Sequence, residues 1–324
     1  MEILILHPGA LGDIILSLPA LAILRARLRN SRLTLAANTD FAGTVASGYT
    51  DRVLSLSSLP LYRLHSAEAV PPEDERLWRS FDRILSWTGF REEKFTARLA
   101  QMHPCVLTAD WQPGSGEQRH VSRLFIDSLR PWFPVPPETP MPEIRLDPVD
   151  FQHGREWLQE RGWSGVRPLM AIHPGAGSAA KRWALSRFQE LGHRLRARGA
   201  LLVLEGPAEK GLGRDLAAGL GHDAYLVHNL PLRLLAAVLG HCRAFVGNDS
   251  GIAHLAAGLG LPCVVLFGPT SPANWAPIGK RTQVLRNTLG CIACEHEPAA
   301  RHTCLNNISW ETVWESALSI MAPT

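Results

Sequence analysis

The chain has 324 residues, 46% of them hydrophobic and 19% charged, a composition that suits a globular protein of about two domains with substantial cores. Its net charge of +3 excludes wholesale electrostatic binding to nucleic acid. Residues 1–150 carry 16 basic and 18 acidic side chains, and residues 151–324 the remaining 17 and 12, so the second half is +5 and the first −2. A modest positive bias fits a site for a small anion, and it fits a solvated surface equally well.

The first elements are an apolar strand, EILILH (2–7), a loop, and a helical pattern from about Gly12 to Arg29. This N-terminus lacks a basic leading segment and Asp13 interrupts its apolar run, so it reads as structure and not as a signal peptide. No stretch approaches the roughly 18 apolar residues of a membrane span, and the expected compartment is the cytosol. Strand patterns follow at RLTLAAN (32–38) and RVLSL (52–56), helical patterns at 74–86 and 92–101, then the apolar CVLTA (105–109). Strands alternating with helices predict a parallel sheet. Six prolines between 134 and 148 mark a domain linker, since neither a helix interior nor a central strand tolerates that density.

Beyond the linker the alternation is clearer. Strands are expected at 169–173, 200–206, 224–228, 244–248 and 263–268, with helices between them, such as 186–198 and 231–241. Near-continuous apolar strands predict a sheet covered on both faces. The tetrapeptide His-Pro-Gly-Ala ends the first strand of each half, at His7 and at His173. The architecture is therefore α/β: two doubly wound parallel-sheet domains facing across a cleft, because ligands of open α/β sheets bind outside the carboxyl ends of the strands. The expected boundaries are 1–147 and 148–308, followed by a C-terminal helix (309–324) able to pack back on the first domain.

Four segments carry candidate chemistry. In GNDSGIAHLAAGLG (247–260), Ser250 is a good N-cap, Gly251 permits close backbone approach, and the helix N-terminus can bind an anion; an ordinary capped strand–loop–helix turn explains the same residues. His254 sits one turn into that helix. In HPGAGSAAKRW (173–183), Gly175 and Gly177 bracket a loop before Lys181 and Arg182, which read as phosphate-binding charge or as solvated surface. In GALGD, between Gly9 and Gly12 on one side and a helix on the other, Asp13 is either a helix-dipole carboxylate or a general base. G-x-G-x-x-G is absent there, which argues against a dinucleotide-dependent oxidoreductase. Last, Cys291, Cys294 and Cys304 lie near His296 and His302 and suit a structural zinc site, free thiols or a local disulfide. Neither His7 nor His173 is assigned to chemistry.

GALGDIILSLPAL, HPGAGSAAKRWALSRFQEL and NDSGIAHLAAGLGLPCVVLFGPTSPANWAPIG, in this order, resemble the ADP-heptose:lipopolysaccharide heptosyltransferases, glycosyltransferase family nine. The Cys-rich loop looks like that of many members. The resemblance implies a GT-B fold of two Rossmann-like domains, acceptor-binding first and nucleotide-sugar-binding second. It implies an inverting transfer with no metal or other cofactor, of a heptose from ADP-heptose to a lipid-linked lipopolysaccharide inner-core acceptor. An acceptor lipid would bring such an enzyme to the cytoplasmic face of the inner membrane. No nucleic-acid partner is implied.

On the matching positions, Asp13 corresponds to the family's base and Lys181 to the lysine on donor phosphate. Asp249, Ser250, Gly251 and His254 correspond to the donor motif, and Ser178 to a hydroxyl near the diphosphate. Glu209 corresponds to the acid that holds the ribose, and Leu230 to a main-chain contact with adenine. Departures are His7 where arginine is common, Ala184 where a proline follows Lys-Arg-Trp, and a missing fourth cysteine. Such chemistry needs an acceptor hydroxyl deprotonated and a departing diphosphate stabilised. Asp13 serves the first, and Lys181 with the helix at Ser250 the second. Domain closure about the linker would bring them together. The alternatives are a GT-B enzyme of another nucleotide sugar and a non-catalytic carbohydrate-binding relative.

Overall fold

A computed structural model describes residues 1–66, 68–207, 209, 211–287 and 304–322. The chain divides into two compact units, Met1–Pro142 and Glu143–Thr324. The boundary falls inside the proline-rich stretch, five residues before the expected one.

In the first unit, β1 (Glu2–Leu6), α1 (Leu11–Arg27), β2 (Arg32–Ala37), α2 (Thr39–Val45) and β3 (Arg52–Ser55) form one wing. Then come α3 (Tyr62–His65), α4 (Pro72–Arg79), β4 (Arg83–Ser86), α5 (Glu93–Met102), β5 (Val106–Thr108) and α6 (Val121–Asp127). The parallel sheet has the order β3-β2-β1-β4-β5, the doubly wound order in which the chain reverses direction between β1 and β4. One core packs Leu4, Leu6 and Ile84 of the sheet under Trp78, Phe95 and Leu99 of α4 and α5.

The sequence predicts one helical pattern over 74–86, and the structure divides it into α4 and the strand β4. The helix ends at Arg79, Asp82 N–H bonds to Glu2 O, and Arg83–Ser86 then pairs with β1 from Ile3↔Arg83 to Leu6↔Ser86. The short apolar run is buried on both faces in the middle of a sheet, where periodicity cannot tell strand from helix.

The second unit opens with α7 (Pro148–Glu160) and alternates β6 (Leu169–His173), α8 (Leu185–Leu195), β7 (Ala200–Glu205), α9 (Leu212–Leu220) and β8 (Ala224–His228). It continues through α10 (Leu232–Leu239), β9 (Cys242–Asn248), α11 (Gly251–Gly258), β10 (Cys263–Phe267), α12 (Pro272–Trp275), β11 (Thr282–Arg286) and α13 (Trp310–Met321). The order β11-β10-β9-β6-β7-β8 is the same winding, with its reversal between β6 and β9. β6, β7 and β10 are buried along their whole length, as helices on both faces require. Pro148, counted among the linker prolines, is the first residue of α7: Asp147 caps the helix by accepting from Val149 N at 2.9 Å, and proline is tolerated where no intrahelical N–H is needed.

The C-terminal helix belongs with this second unit. α13 packs against α8, β9, β10 and β11, with Val313 and Ala317 in the core that holds Leu266 and Phe188. Trp183 Nε1 and the Arg187 guanidinium both donate to Ile308 O just ahead of it.

Candidate active site

Both sheets place their candidate residues at the carboxyl ends of the strands, beside the point where the winding reverses. In the second unit the register His173↔Gly247 and Leu266↔Asn248 brings the ends of β6, β9 and β10 together. Asn248, wholly buried, organises the loop after β6. Its Oδ1 accepts from Trp183 N at 3.0 Å, and its Nδ2 donates to Pro174 O at 2.8 Å and Gly175 O at 3.3 Å. One side-chain amide thus holds both ends of the loop 174–183.

That loop carries Lys181, whose Nζ lies 2.8 Å from Asp249 Oδ2. Asp249 is 5% exposed and also accepts from Thr270 Oγ1 at 2.5 Å. The buried carboxylate takes both contacts on Oδ2 and aims a cation, while Lys181 remains partly open, its side chain 29% exposed. An ammonium carries three donors, and Asp249 takes one. Ser178 stands at the exposed tip of the loop, before the turn Ala179–Lys181, with its carbonyl accepting from Lys181 N at 3.2 Å.

Ser250 caps α11, its Oγ accepting from Ala253 N at 3.3 Å. Gly251 begins the helix, and His254 lies in its first turns at 5% exposure. The partly open Lys181 and the N-terminus of α11 are joined through adjacent residues, Asp249 and Ser250. This is an arrangement for negative charge.

Glu209 lies on the loop after β7, 7% exposed, with Oε2 accepting from Gly206 N and Oε1 3.7 Å from His173 Nε2. Burial pushes its pKa up, but the His173 ring, the Gly206 N–H and the Arg182 charge outweigh burial and hold it below the usual carboxylate range. Gly175 makes room: a Cβ there would stand 2.2 Å from Glu209 Cγ and 2.4 Å from its carboxyl carbon. His173 completes the group, its Nδ1 3.2 Å from Ser250 Oγ. Leu230, half-buried, follows Asn229, which takes a left-handed φ of 51° and donates its N–H to Glu205 O at 3.2 Å.

In the first unit β1 runs straight into His7, whose N–H continues the ladder to Ala36 O at 2.9 Å. The imidazole is wholly buried, with ring centroids of Phe125, Trp87 and Trp111 at 5.4, 5.5 and 6.0 Å. Burial drives its pKa down to about 3, against the weaker pull of the Asp13 and His7 backbone groups, so the ring is neutral. Its Nδ1 accepts from Gly9 N at 3.0 Å. Gly9 is wedged between this ring and Asp13: a Cβ would stand 2.6 Å from His7 Cε1 and 2.4 Å from Asp13 Cβ. Asp13, half-buried in the first turn of α1 after Gly12, accepts from Ala10 N at 2.9 Å through Oδ2. The carboxylate therefore caps the helix.

The second unit gathers Lys181, Gly175, Glu209, Asp249 and Ser250 into one connected group. His173 and Asn248 are members the sequence reading passed over, because a polar residue closing an apolar strand looks like a satisfied core side chain. That position, at the reversal of the sheet, was the available signal. Cys304 is buried, and Cys291 and Cys294 lie outside the described residues.

A family profile described as glycosyltransferase family 9 (heptosyltransferase) matches residues 109–304. The lipopolysaccharide heptosyltransferase 2 of Salmonella typhimurium is 32% identical over 168 residues, 49% of this chain and 48% of that protein, so the match spans about half the relative's length. The lipopolysaccharide heptosyltransferase 1 of Pseudomonas aeruginosa is 25% identical over 331 residues, covering 91% of this chain and 86% of the relative. The fold is similar to that of the E. coli ADP-heptose lipopolysaccharide heptosyltransferase II, with a TM-score of 0.78 at 19% identity, over 99% of this chain and 98% of that one.

Proposed function

The chain belongs to glycosyltransferase family 9, and from that premise we propose that it moves a heptose from ADP-heptose to a lipopolysaccharide inner-core acceptor, inverting the anomeric centre without a divalent cation. The observation that carries this reading is the Lys181–Asp249 pair at 2.8 Å beside the capped N-terminus of α11. A departing diphosphate needs fixed positive potential, and oriented donors aimed at developing charge are often the largest catalytic contribution. Lys181, the amides of the loop at Gly177 and Ser178, and the first N–H groups of α11 supply it without a metal.

In this reading Glu209 holds the ribose hydroxyls of the donor, and Leu230 borders the adenine. Asp13 on the first unit takes the proton from the acceptor hydroxyl as it attacks the anomeric carbon. A carboxylate base typically contributes about 10²–10⁴-fold. Direct attack opposite the leaving group inverts the configuration. The lipid-linked acceptor sugar is bound on the side of the first unit, at the turn of Gly9 and Gly12.

The test is a transfer assay with ADP-heptose and a heptose-deficient core lipid, read by mass, beside thermal shifts with ADP, UDP and GDP. ADP alone should raise the melting temperature, by mass action on the folded state, and product should gain one heptose. Stabilisation by UDP or GDP in place of ADP would overturn the donor, and ADP release with no acceptor product would overturn the transfer.

A further inference from the structure

His173 is the last residue of β6, 3% exposed, and three segments of the second unit converge on its ring. Nδ1 is 3.2 Å from Ser250 Oγ, the cap of α11, and Nε2 is 3.7 Å from Glu209 Oε1, on the loop after β7. The ring itself is carried by the strand that leads into the loop of Lys181. An ionised carboxylate offers only lone pairs, so a ring hydrogen on Nε2 is the arrangement that suits the edge facing Glu209. Nδ1 faces a hydroxyl, which donates or accepts as the ring requires.

Among the described residues Glu209 is held by the Gly206 N–H, His173 and the charge of Arg182. Its Oε2 takes the Gly206 N–H, its Oε1 faces His173, and the missing side chain of Gly175 leaves the carboxyl room to lie against the backbone. Among the described residues the Ser250 hydroxyl has one partner besides His173, the Ala253 N–H. One buried imidazole therefore stands between the acid on one side of the group and the helix cap on the other.

We propose that His173 is a positioning residue that couples the two ends of the donor site, setting Glu209 for the nucleoside through Nε2 and Ser250 for the diphosphate through Nδ1. The proposal rests on the donor-site reading given above. The two ring edges are separable by substitution. Asparagine keeps a polar atom near the position of Nδ1 and loses Nε2, whereas glutamine reaches the position of Nε2 and loses Nδ1.

Calorimetry with ADP, adenosine and inorganic pyrophosphate on the full chain tests it. His173→Asn should weaken ADP and adenosine binding about tenfold, because Glu209 loses the ring edge that sets it, and leave pyrophosphate within about twofold. His173→Gln should spare adenosine and weaken pyrophosphate. Glu209→Gln should cost ADP affinity about tenfold in the native background and under twofold in the His173→Asn background, because two residues acting through one contact are not additive. A full, additive loss in the double variant, or equal losses for all three ligands in both variants, would overturn the coupling and leave a purely structural histidine. Should both His173 variants fail to fold, Glu209→Gln and Ser250→Ala are combined with the histidine intact. A shortfall from additivity of about threefold or more in ADP affinity supports the coupling, and additivity overturns it. Failure of the native protein to bind ADP at all would instead strike the donor-site reading.

Discussion

Lys181 and Asp249 sit 68 residues apart in sequence and 2.8 Å apart in space, and the carboxylate of the pair is the more buried partner, 6% exposed against 29% for the lysine side chain. The ammonium is therefore aimed by a group that does not compete for its outer face. Lys181→Ala is expected to weaken ADP binding about 10–100-fold and to lower turnover with it. Among the described residues the substitution also leaves the Asp249 side chain with the Thr270 hydroxyl alone, a loss of about 1–3 kcal/mol in stability. Calorimetry with ADP and a urea denaturation curve separate the two effects; ADP affinity unchanged from the native protein would remove Lys181 from the phosphate site.

Asp13 has two separable tasks, capping α1 and, in the proposed reaction, taking a proton. The substitution Asp13→Asn keeps an oxygen for the Ala10 N–H and removes the charge at the helix N-terminus, which is worth about 0.3–1 kcal/mol there. Transfer should nonetheless fall about 10²–10⁴-fold, with ADP binding within about twofold of native, roughly the additivity limit for distant sites. A near-native transfer rate in this folded variant would dismiss Asp13 as the base.

Two glycines are required for space and not for backbone conformation. Gly175→Ala drives a methyl group into the Glu209 carboxyl, with ideal separations of 2.2 to 2.4 Å. Overpacking of this kind costs about 1–3 kcal/mol. The displaced acid should raise the ADP dissociation constant about tenfold, with far-ultraviolet dichroism unchanged. Gly9→Ala meets Asp13 Cβ at 2.4 Å and should depress transfer while sparing ADP binding. The pair of variants thus assigns the two loops to acceptor and donor by opposite patterns of loss, and identical patterns would contradict the assignment.

Stability should also carry a signature of His7. Buried and neutral, it binds a proton only near pH 3 in the folded chain, whereas the unfolded chain protonates it below its ordinary value of 6.5. Between those values the unfolded state holds more protons, so this contribution is complete above pH 6.5 and is lost as pH falls toward 3. Carboxylates add to the loss at lower pH: Asp51, held down by the Arg25 hydrogen bond, and Asp127, where burial is outweighed by Arg123 and Arg130. Above about pH 5 those acids are still ionised in both states. The fall in urea midpoint between about pH 6.5 and 5 should therefore shrink in His7→Phe, even though that variant is less stable throughout. Parallel curves for the two proteins would refute the buried neutral imidazole.

The parallel strands that lead into the site were legible because their apolar runs end abruptly at His7, His173 and Asn248. β4 was not, since Ser80 to Asp82 offers no glycine or proline to separate Arg79 from the next apolar run, and both Ile84 and Leu85 are wholly buried. β11 was missed for the opposite reason: Thr282–Arg286 is a half-exposed edge strand with little apolar contrast. In the candidate site, Lys181, Asp249 and Ser250 are picked out by the family resemblance, while their local spacing alone also fits a solvated surface and an ordinary capped turn. The joint work of His173 with Glu209, and of Asn248 with Pro174 and Trp183, exists only once loops from different strands converge. A sequence contains those residues but not their convergence.

Asn248 has a consequence for how such a protein can change. By bonding to Pro174 and Gly175 at one end and Trp183 at the other, it closes the intervening segment into a ring with no covalent cross-link. The width of that ring is set from beneath, by a strand whose own sequence need not vary. Residues around its rim can then be exchanged as a block while the sheet below stays as it is. If that segment holds the donor diphosphate as proposed, diversification of how the phosphates are held, natural or by library selection, has a confined and structurally inexpensive place to occur.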